Sequence, residues 1–460
     1  MAHHEDTLAW RPALAVDVVE AGAKARRGRL RCELGTNITF NLADLESYFF
    51  AEWNPTAYDA LLVAAAVEFA DRTQRRSTVN WQREFALNIP VHDPAQWNDK
   101  VVSETLRDAL VFLTGDRWEI SFYQRRQPLE RPRQGQLTLE QGTTAVIPFS
   151  DGLDSRCVAG LMAHEMGDKL VRVRLGTKDY DGHLPGKRPF ASIPYDVDLG
   201  AKPFVESSAR SRGFKFALVS GLAAFLSKAV QIIVPESGQG ALGPSLVVVG
   251  QAYEDYRSHP LFTGRMEKFL FALLGHRVRY QFPRLWHTKA ETLRKFVDEC
   301  EDGASWNETW SCWQQNRHSS VDGKRRHCGV CAACMLRRLS VHAAGLSEPP
   351  ETFVWENLGA LSFNEGTAAS FPEKKKMGRM RQYAIAGALH LDHLGSLRAS
   401  PASANMLGLN AFQLSRALGL AEADTRAKLD RLLMQHEQEW KNFVSSLGAS
   451  SFVARWAIAA

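Results

Sequence analysis

The sequence has no uninterrupted apolar stretch long enough to cross a membrane, and its first residues, MAHHEDTLAW, lack the charged-then-apolar order of a secretory signal. Strong charge is also missing, because 460 residues carry a formal net charge of only +5. Internal repeats and a dedicated RNA-binding motif are absent as well. These absences favour a cytoplasmic globular protein, and we expect neither a membrane nor a nucleic acid as its partner.

Cysteines are few, and their odd number of seven does not suit a complete set of disulfides. Four of them crowd into TWSC…CGVCAACMLRR, as Cys312, Cys328, Cys331 and Cys334. Four thiolates suit a closed, tetrahedral and therefore structural zinc site. An iron–sulfur cluster uses the same ligands, so the spacing alone leaves the metal open. The pattern indicates a metal-binding protein of a reducing compartment.

The order of helix and strand patterns predicts three regions. Residues 1–140 mix both patterns and predict an α+β accessory domain. Residues 141–345 alternate strands with helices, which predicts an α/β domain with a parallel sheet covered by helices on both faces. Residues 346–460 predict a helical accessory region. The polar, proline-bearing stretch Gln124–Gln136 is the best candidate for a linker or an exposed loop.

Within the middle region, four apolar stretches predict strands of one parallel sheet: 143–149, 169–175, 192–199 and 230–236. Helices are predicted between them, at 155–167 and 213–229. Near the C-terminus, EADTRAKLDRLLMQHEQEWKNFVSSLG predicts a packing helix with one apolar face. His436 lies on that face, where it is interpreted as a core-edge residue and not as a ligand.

The stretch IPFSDGLDSR predicts a tight turn between an apolar strand and a helix. Free backbone N–H groups and the helix dipole make such a turn an anion site. Gly152 allows close approach of a phosphate, while Ser150 and Ser155 can donate hydrogen bonds. Asp154 can hold Mg²⁺. The alternative is a plain turn that caps a helix, since Ser and Asp are common cap residues.

The order Ser-x-Gly-x-Asp-Ser in this turn resembles the pyrophosphate loop of the N-type ATP pyrophosphatases. That family cleaves ATP between the α and β phosphates to adenylate a substrate oxygen, and its fold is the adenine nucleotide alpha hydrolase-like sheet. The resemblance implies ATP and Mg²⁺, bound by the residues Ser150, Asp151, Gly152, Leu153, Asp154, Ser155 and Arg156. Asp151 replaces a family glycine, so it is a second magnesium ligand, or points away, or belongs to a loop with reduced affinity for ATP. Arg156 replaces a small hydroxylated residue and would supply compensating positive charge.

Four pieces in order, across about residues 143 to 343, resemble 7-cyano-7-deazaguanine synthase (QueC). They are the loop above, the start of the helix at RSRGFKF, the segment FPRLWHTKAETLRKF and the cysteine motif. IIVPESGQG stands where the family has its acidic, small-residue substrate loop. The resemblance implies catalytic roles for Asp154, Arg212 and Lys289, contacts to the substrate from Phe216, Glu236, Gln239 and Glu291, and a structural zinc ion. The plainer alternatives are surface cations for Arg212 and Lys289, a strand-end cap for Glu236 and Gln239, and a helix-entry carboxylate for Glu291.

The family's reaction converts the carboxylate of 7-carboxy-7-deazaguanine into an acyl adenylate, which ammonia attacks to give an amide. A second ATP-dependent activation then dehydrates the amide to a nitrile. This chain carries flanking regions that ordinary synthases do not need, and so resembles the long QueC-like components of bacterial antiphage defence operons. That resemblance implies a partner protein from the same operon whose amine accepts the activated group. Two alternatives stay open: an ATP pyrophosphatase that modifies tRNA, and a non-catalytic scaffold that binds a nucleotide or a partner.

Overall fold

The computed structural model describes residues 13–41, 54–77, 81–126, 142–175, 187–190, 193–200, 202–206, 210–249, 253–314, 316–376 and 378–458. The chain divides into two compact units. The first unit comprises residues 1–139, 193–226 and 265–277, and the second comprises residues 140–192, 227–264 and 278–460. No helix in the described ranges is long and apolar enough to cross a membrane.

The strands are β1 Leu14–Val19, β2 Leu30–Glu33, β3 Ile38–Phe40, β4 Glu84–Val91, β5 Arg117–Gln124, β6 Ala145–Phe149, β7 Leu170–Arg174, β8 Lys187–Phe190, β9 Tyr195–Val197, β10 Gln231–Ile233, β11 Arg279–Gln281, β12 Ser320–Val321 and β13 Lys324–Arg325. The helices are α1 Pro55–Thr73, α2 Pro94–Trp97, α3 Lys100–Thr114, α4 Leu153–Met166, α5 Arg212–Ser227, α6 Gly238–Ala241, α7 Gly243–Leu246, α8 Pro260–Leu274, α9 Lys289–Glu299, α10 Asn316–Ser319, α11 Ala332–Ala343, α12 Gly378–Ser396, α13 Ala404–Leu418, α14 Glu422–Leu447 and α15 Phe452–Ile458. Short 3-10 helices occur at Gly167–Lys169, Gly303–Glu308, Pro350–Thr352, Glu373–Lys375 and Pro401–Ser403.

The first unit contains a four-stranded sheet in the order β2-β1-β4-β5, and all of its neighbouring strands run parallel. Helix α1 begins where the Asn54 side chain accepts a hydrogen bond from Ala57 N at 3.0 Å, with Pro55 in the first turn. Helix α3 ends at Gly115, whose φ of 68° is left-handed. The predicted mixture of helices and strands in this region is therefore confirmed.

The second unit contains a five-stranded parallel sheet in the order β11-β10-β6-β7-β8. Its central strands are apolar because both faces are covered by helices, and Val146, Ile147 and Ile232 are fully buried. The chain moves from β6 to β7 and β8 on one side, and later returns to β10 on the other. The carboxyl ends of β6 and β10 therefore mark the switch point of the topology, where ligands bind in α/β sheets.

One predicted strand pairs differently. The pattern in 192–199 predicts a third strand of the parallel sheet, but β9 pairs antiparallel with β3 in the first unit. The place beside β7 belongs to β8 instead. That prediction was wrong because alternation shows that a strand forms but does not select its partner. Strand β11 was not predicted, since its sequence RYQ contains one buried residue, Tyr280, between two exposed polar residues.

The C-terminal helices form two apolar clusters in the second unit. One surrounds the four cysteines and includes Trp355, Phe371 and Met380, while the other joins residues of α12, α13 and α14. The predicted face of α14 is buried as expected, at Leu429, Leu432, Leu433, His436, Trp440 and Phe443. Boundaries near 140 and 345 stay a prediction, and most of the proposed linker Gln124–Gln136 lies outside the described residues.

Candidate functional site

Two serine hydroxyls accept hydrogen bonds from backbone N–H groups within the turn between β6 and α4. The Ser155 hydroxyl accepts a hydrogen bond from Ser150 N at 2.8 Å, and the Ser150 hydroxyl accepts one from Gly152 N at 3.4 Å. Helix α4 begins at Gly152 with no side-chain cap among the described residues, so its first N–H groups are available to another acceptor. Ser150 and Asp151 are partly exposed at this turn.

Nothing in the backbone requires glycine at residue 152. Its φ is −74°, and an added Cβ would meet only the Ser150 hydroxyl, at an ordinary 3.5 Å. The structure therefore shows neither backbone strain nor crowding that would require a glycine at this position.

Three ionisable side chains meet beside the turn. Lys289 forms an ion pair with Asp154, whose other oxygen accepts a hydrogen bond from Ser237 N at 3.3 Å. Glu236 follows β10 and is in hydrogen-bonding contact with Asp154. The carboxylate of Asp154 is only 6% exposed and Lys289 only 9% exposed. At the switch point, the carboxylate of Asp154 therefore contacts both a buried cation and a second carboxyl group.

The charges of this cluster follow from burial and proximity. Burial opposes the charge on Asp154, but the Lys289 ammonium, together with hydrogen bonds from Glu236 and Ser237, holds the pKa of Asp154 below its usual value. Burial and the negative charge of Asp154 together raise the pKa of Glu236 well above its usual value. The two carboxyl groups of the cluster therefore have pKa values shifted in opposite directions, with the lower value on the carboxyl group that pairs with Lys289.

Lys289 is placed by a well-capped helix start. The Thr288 hydroxyl accepts a hydrogen bond from Glu291 N at 3.2 Å, and Glu291 returns one by accepting from Thr288 N at 2.8 Å. Gln239, from the helical turn after β10, accepts a hydrogen bond from Lys289 N at 2.8 Å. These contacts fix the first turn of α9 relative to the end of β10.

Helix α14 supports the same helix start from the other side. His436 Nδ1 lies 2.7 Å from Gln239 Nε2, and His436 Nε2 lies 2.8 Å from the carbonyl oxygen of Leu391. Burial lowers the pKa of His436 to about 4, so its ring is neutral at physiological pH. Glu439 accepts a hydrogen bond from the Thr288 hydroxyl at 2.7 Å. The capping-box spacing of Thr288 and Glu291 was a sequence signal for this support, whereas His436 and Glu439 had none.

Replacing Glu439 with glutamine is expected to raise stability relative to the wild type more at pH 8 than at pH 5. Burial raises the pKa of Glu439 from 4.5 to about 7, so the wild-type fold loses stability as pH rises between these values. Glutamine keeps the acceptor for Thr288 and does not titrate. Urea unfolding at both pH values measures the difference.

Glu437→Gln on the same helix is the matched control. Lys441 holds the pKa of Glu437 below its usual value, so its ionised form stabilises the fold above pH 4.5. Removing this carboxylate should therefore lower the stability of the fold, and should lower it more at pH 8 than at pH 5. This effect is opposite in sign to that of Glu439→Gln. Equal pH dependence of the two variants would contradict the assignment.

The four cysteine sulfurs converge on one point. All four Sγ atoms lie within 4.8 Å of one another, and Cys328 Sγ is 3.8 Å from Cys334 Sγ. A tetrahedral zinc ion with bonds of about 2.3 Å requires sulfur separations near 3.8 Å. Backbone N–H groups of Cys328 and Cys331 also donate to thiolate sulfurs, at 3.2 and 3.3 Å. The set fits a single ion, whereas a four-iron cluster would attach each sulfur to a different iron and spread them apart.

The cysteine cluster is connected to the turn through Trp310. Trp310 N donates a hydrogen bond to the carbonyl oxygen of Asp151 at 2.7 Å, and its indole Nε1 donates one to the carbonyl oxygen of Cys312 at 3.1 Å. The ring stacks on His327 at a centroid distance of 4.2 Å. Order in the cysteine segment therefore helps to fix the backbone of the candidate anion site.

The structure brings most of the predicted site residues together in the second unit, and it also gives several of them partners in the chain. Both polar atoms of the Gln239 amide are engaged, and Glu291 pairs with Arg431. Arg156 is buried, 3.9 Å from Glu308. Arg212 is exposed on α5 in the first unit, 4.9 Å above the ring of Phe216. The substrate and nucleotide roles of these residues stay predictions.

Comparison with known proteins supports the resemblance noted in the sequence. Residues 239–345 match the family model described as queuosine biosynthesis protein QueC. The 7-cyano-7-deazaguanine synthase of Agrobacterium fabrum is 26% identical over 184 residues, which are 37% of this chain and 64% of that protein. The synthase of Hydrogenovibrio crunogenus is 31% identical over 16% of this chain and 28% of its own length, and that of Rhizobium etli is 39% identical over 12% and 20%. The chain thus spans less than two thirds of these relatives, and no solved structure gives a significant match.

Proposed function

We propose that this chain is an ATP-dependent ligase that adenylates the carboxylate of 7-carboxy-7-deazaguanine, or a close analogue, and passes the acyl group to an amine. The observation that carries the proposal is the switch point of the second sheet. A helix start without a side-chain cap among the described residues, a buried lysine and a pair of carboxyl groups in contact meet there. The chain that builds this arrangement also matches the QueC family model over residues 239–345.

The geometry suggests separate tasks for the residues at the turn. The N–H groups at the start of α4 and the hydroxyls of Ser150 and Ser155 would hold the pyrophosphate part of ATP. Lys289 would neutralise charge that develops on the departing phosphates. Asp154 and Asp151 are the carboxylates that would hold Mg²⁺, since hard oxygen ligands suit that ion. Bound Mg²⁺ would supply further neutralisation of phosphate charge.

Glu236 gives the site a proton that can move. Its pKa is raised well above its usual value, so it can donate a hydrogen bond to a substrate carboxylate and suppress repulsion by Asp154. Binding of a cation to Asp154 would favour release of the Glu236 proton. Glu236 is therefore the residue of this site best suited to respond to the charge of the ligand.

We further propose a partner-protein amine, in addition to ammonia, as the acceptor, within bacterial antiphage defence. Support comes from the parts of the chain outside residues 239–345. The first unit has a parallel sheet of its own, and the C-terminal helices pack around the cysteine cluster and on α9. Such additions offer surface for docking a protein, which a synthase that uses only ammonia does not need.

The test is turnover with a defined substrate. Incubation with ATP, Mg²⁺ and 7-carboxy-7-deazaguanine should release pyrophosphate and AMP, and 7-deazaguanine without the carboxylate should not. An Asp154→Asn variant should be inactive with both compounds. Intact mass of a co-purified partner would reveal an added deazaguanine acyl group.

The competing interpretation is the non-catalytic scaffold, which the carboxylate of Asp151 in place of the family's glycine favours. It predicts nucleotide binding without release of pyrophosphate or AMP under any acceptor condition. That result would refute the ligase proposal. A salt-sensitive complex with tRNA would instead favour the tRNA-modifying alternative.

A further inference from the structure

A second cleft opens along α9 and α14, on a different face of α9 from Lys289. Its volume is about 460 Å³, and its lining includes Arg284, Glu291, Arg294 and Glu439. Lys289 points to Asp154, whereas Glu291 and Arg294 point into the cleft. The spacing of these residues along the helix places them on separate faces. The cleft is therefore distinct from the candidate nucleotide site.

Polar groups in this cleft lack partners among the described residues. Glu439 is 5% exposed, and its Oε2 atom is buried without a hydrogen bond, as is Nδ1 of His287. Arg284 is 8% exposed, and within the described part of the chain its guanidinium makes one hydrogen bond, from Nε to the Thr292 hydroxyl at 3.2 Å. Buried polar groups are normally satisfied, so this concentration of unsatisfied groups points to a ligand.

Several other charged side chains of the cleft already have partners within the chain. Lys295 pairs with Glu299, Glu291 pairs with Arg431, and Arg294 donates a hydrogen bond to the carbonyl oxygen of Ala343. Of the two arginines in the lining, Arg294 is exposed, whereas Arg284 is buried, and no described carboxylate lies within ion-pair distance of the Arg284 guanidinium. A ligand that complements Arg284 carries a negatively charged oxygen, because a guanidinium binds oxyanions through several N–H groups at once.

We propose that this cleft is a second ligand site, which binds the oxyanion group of a small molecule, a carboxylate or a phosphate, through Arg284, His287 and Glu439. Burial raises the pKa of Glu439 to about 7, so near neutral pH its protonated form donates a hydrogen bond to the anion. The charged and titratable groups around Glu439 in this cleft are Arg284 and His287 from the preceding loop and Glu291, Arg294, Lys295, Asp298 and Glu299 from α9. Gln435 and Arg431 of α14 lie beside them. Burial lowers the pKa of His287, so its ring stays neutral where Glu439 titrates.

The experiment titrates the full chain with inorganic phosphate and, separately, with acetate, at pH 6 and pH 8, by isothermal calorimetry. No ATP or turnover is involved, so the outcome is independent of the proposed ligase activity. Acetate does not titrate between these pH values, which assigns any pH dependence in that arm to the protein. The two arms also distinguish a carboxylate ligand from a phosphate ligand.

At least one of the two anions should bind, and Arg284→Gln should weaken that binding at least about tenfold, the loss expected for a charge-assisted contact. Binding should be tighter at pH 6 than at pH 8, and Glu439→Gln should remove that difference. Arg416→Gln, an exposed arginine on α13, is the matched control and should bind as the wild type does.

Three results would overturn the proposal. One is equal affinity of the wild type and Arg284→Gln, which would place the binding elsewhere, for instance at the turn before α4. Another is the absence of binding by either anion at millimolar concentration. The last is a pH dependence of acetate binding that survives in Glu439→Gln. If Arg284→Gln does not fold, the pH dependence of acetate binding by the wild type and by Glu439→Gln still tests the proposal.

Discussion

Replacing Lys289 with methionine is expected to lower ATP-dependent pyrophosphate release by about 10²- to 10³-fold, the loss typical of removing one electrostatic group from a reaction centre. Methionine fills similar space but carries no charge. Without the ammonium, Asp154 and the phosphates would repel each other across the turn. Pyrophosphate release measured at saturating ATP tests the prediction, and Lys428→Met, an exposed lysine on α14, serves as the control.

The same substitution should destabilise the fold in a pH-dependent way. Removing one partner of a buried ion pair costs about 3–5 kcal/mol, because the other charge stays buried. In the wild type the pKa of Asp154 is held below 3.8, so the pair stabilises the fold above that pH and loses its effect as pH falls through the lowered pKa. In Lys289→Met burial instead raises the pKa of Asp154, so the deficit should shrink as pH falls.

The double variant Lys289→Met, Asp154→Asn separates stability from catalysis. Asparagine removes the stranded charge, so the double variant should regain most of the lost stability while remaining inactive. Urea unfolding and pyrophosphate release are measured on the same preparations. Recovery of activity in the double variant, or wild-type activity in Lys289→Met, would contradict the role given to this lysine.

Loss of the metal from the cysteine cluster is expected to unfold a large part of the second unit. Binding of structural zinc contributes about 10–16 kcal/mol in zinc-finger peptides, as much as the whole stability of an ordinary domain. The cysteines share one apolar cluster with Trp355, Phe371 and Met380. Without a bound metal, the centre of this core would hold four buried thiols with no ion to link them.

Cys328→Ser tests this expectation. The wild type should contain one zinc ion per chain by elemental analysis, and the variant should lose it together with a cooperative unfolding transition. Cys300→Ser, a free cysteine outside the cluster, should keep both the metal and the transition. A metal-free variant with unchanged unfolding would show that the cluster does not hold the fold.

Features written within a few consecutive residues could be predicted from the sequence. The turn after β6 and the cysteine motif depend on short spacings, and the buried face of α14 follows from helical periodicity. Pairing of β9 could not be predicted, because alternation is the same whichever strand lies beside it. Partner choice depends on packing between distant segments.

The contacts that position the helix start at Lys289 could not be predicted for the same reason. Gln239 contacts His436, which lies 197 positions away in the sequence. The two residues do not share a sequence motif. A glutamine after a strand and a histidine on an apolar helix face are individually ordinary. Only the folded chain shows that they hold the helix start that carries the lysine.

The contact between Gln239 and His436 also constrains how this chain can diverge. The neutral imidazole of His436 forms a hydrogen bond with the amide nitrogen of Gln239. A change at either position therefore leaves a buried polar atom without its partner. The two positions are therefore bound to vary as a pair among descendants that keep α14. Lineages that lost the C-terminal helices would be released from this pairing and free to place another residue at position 239.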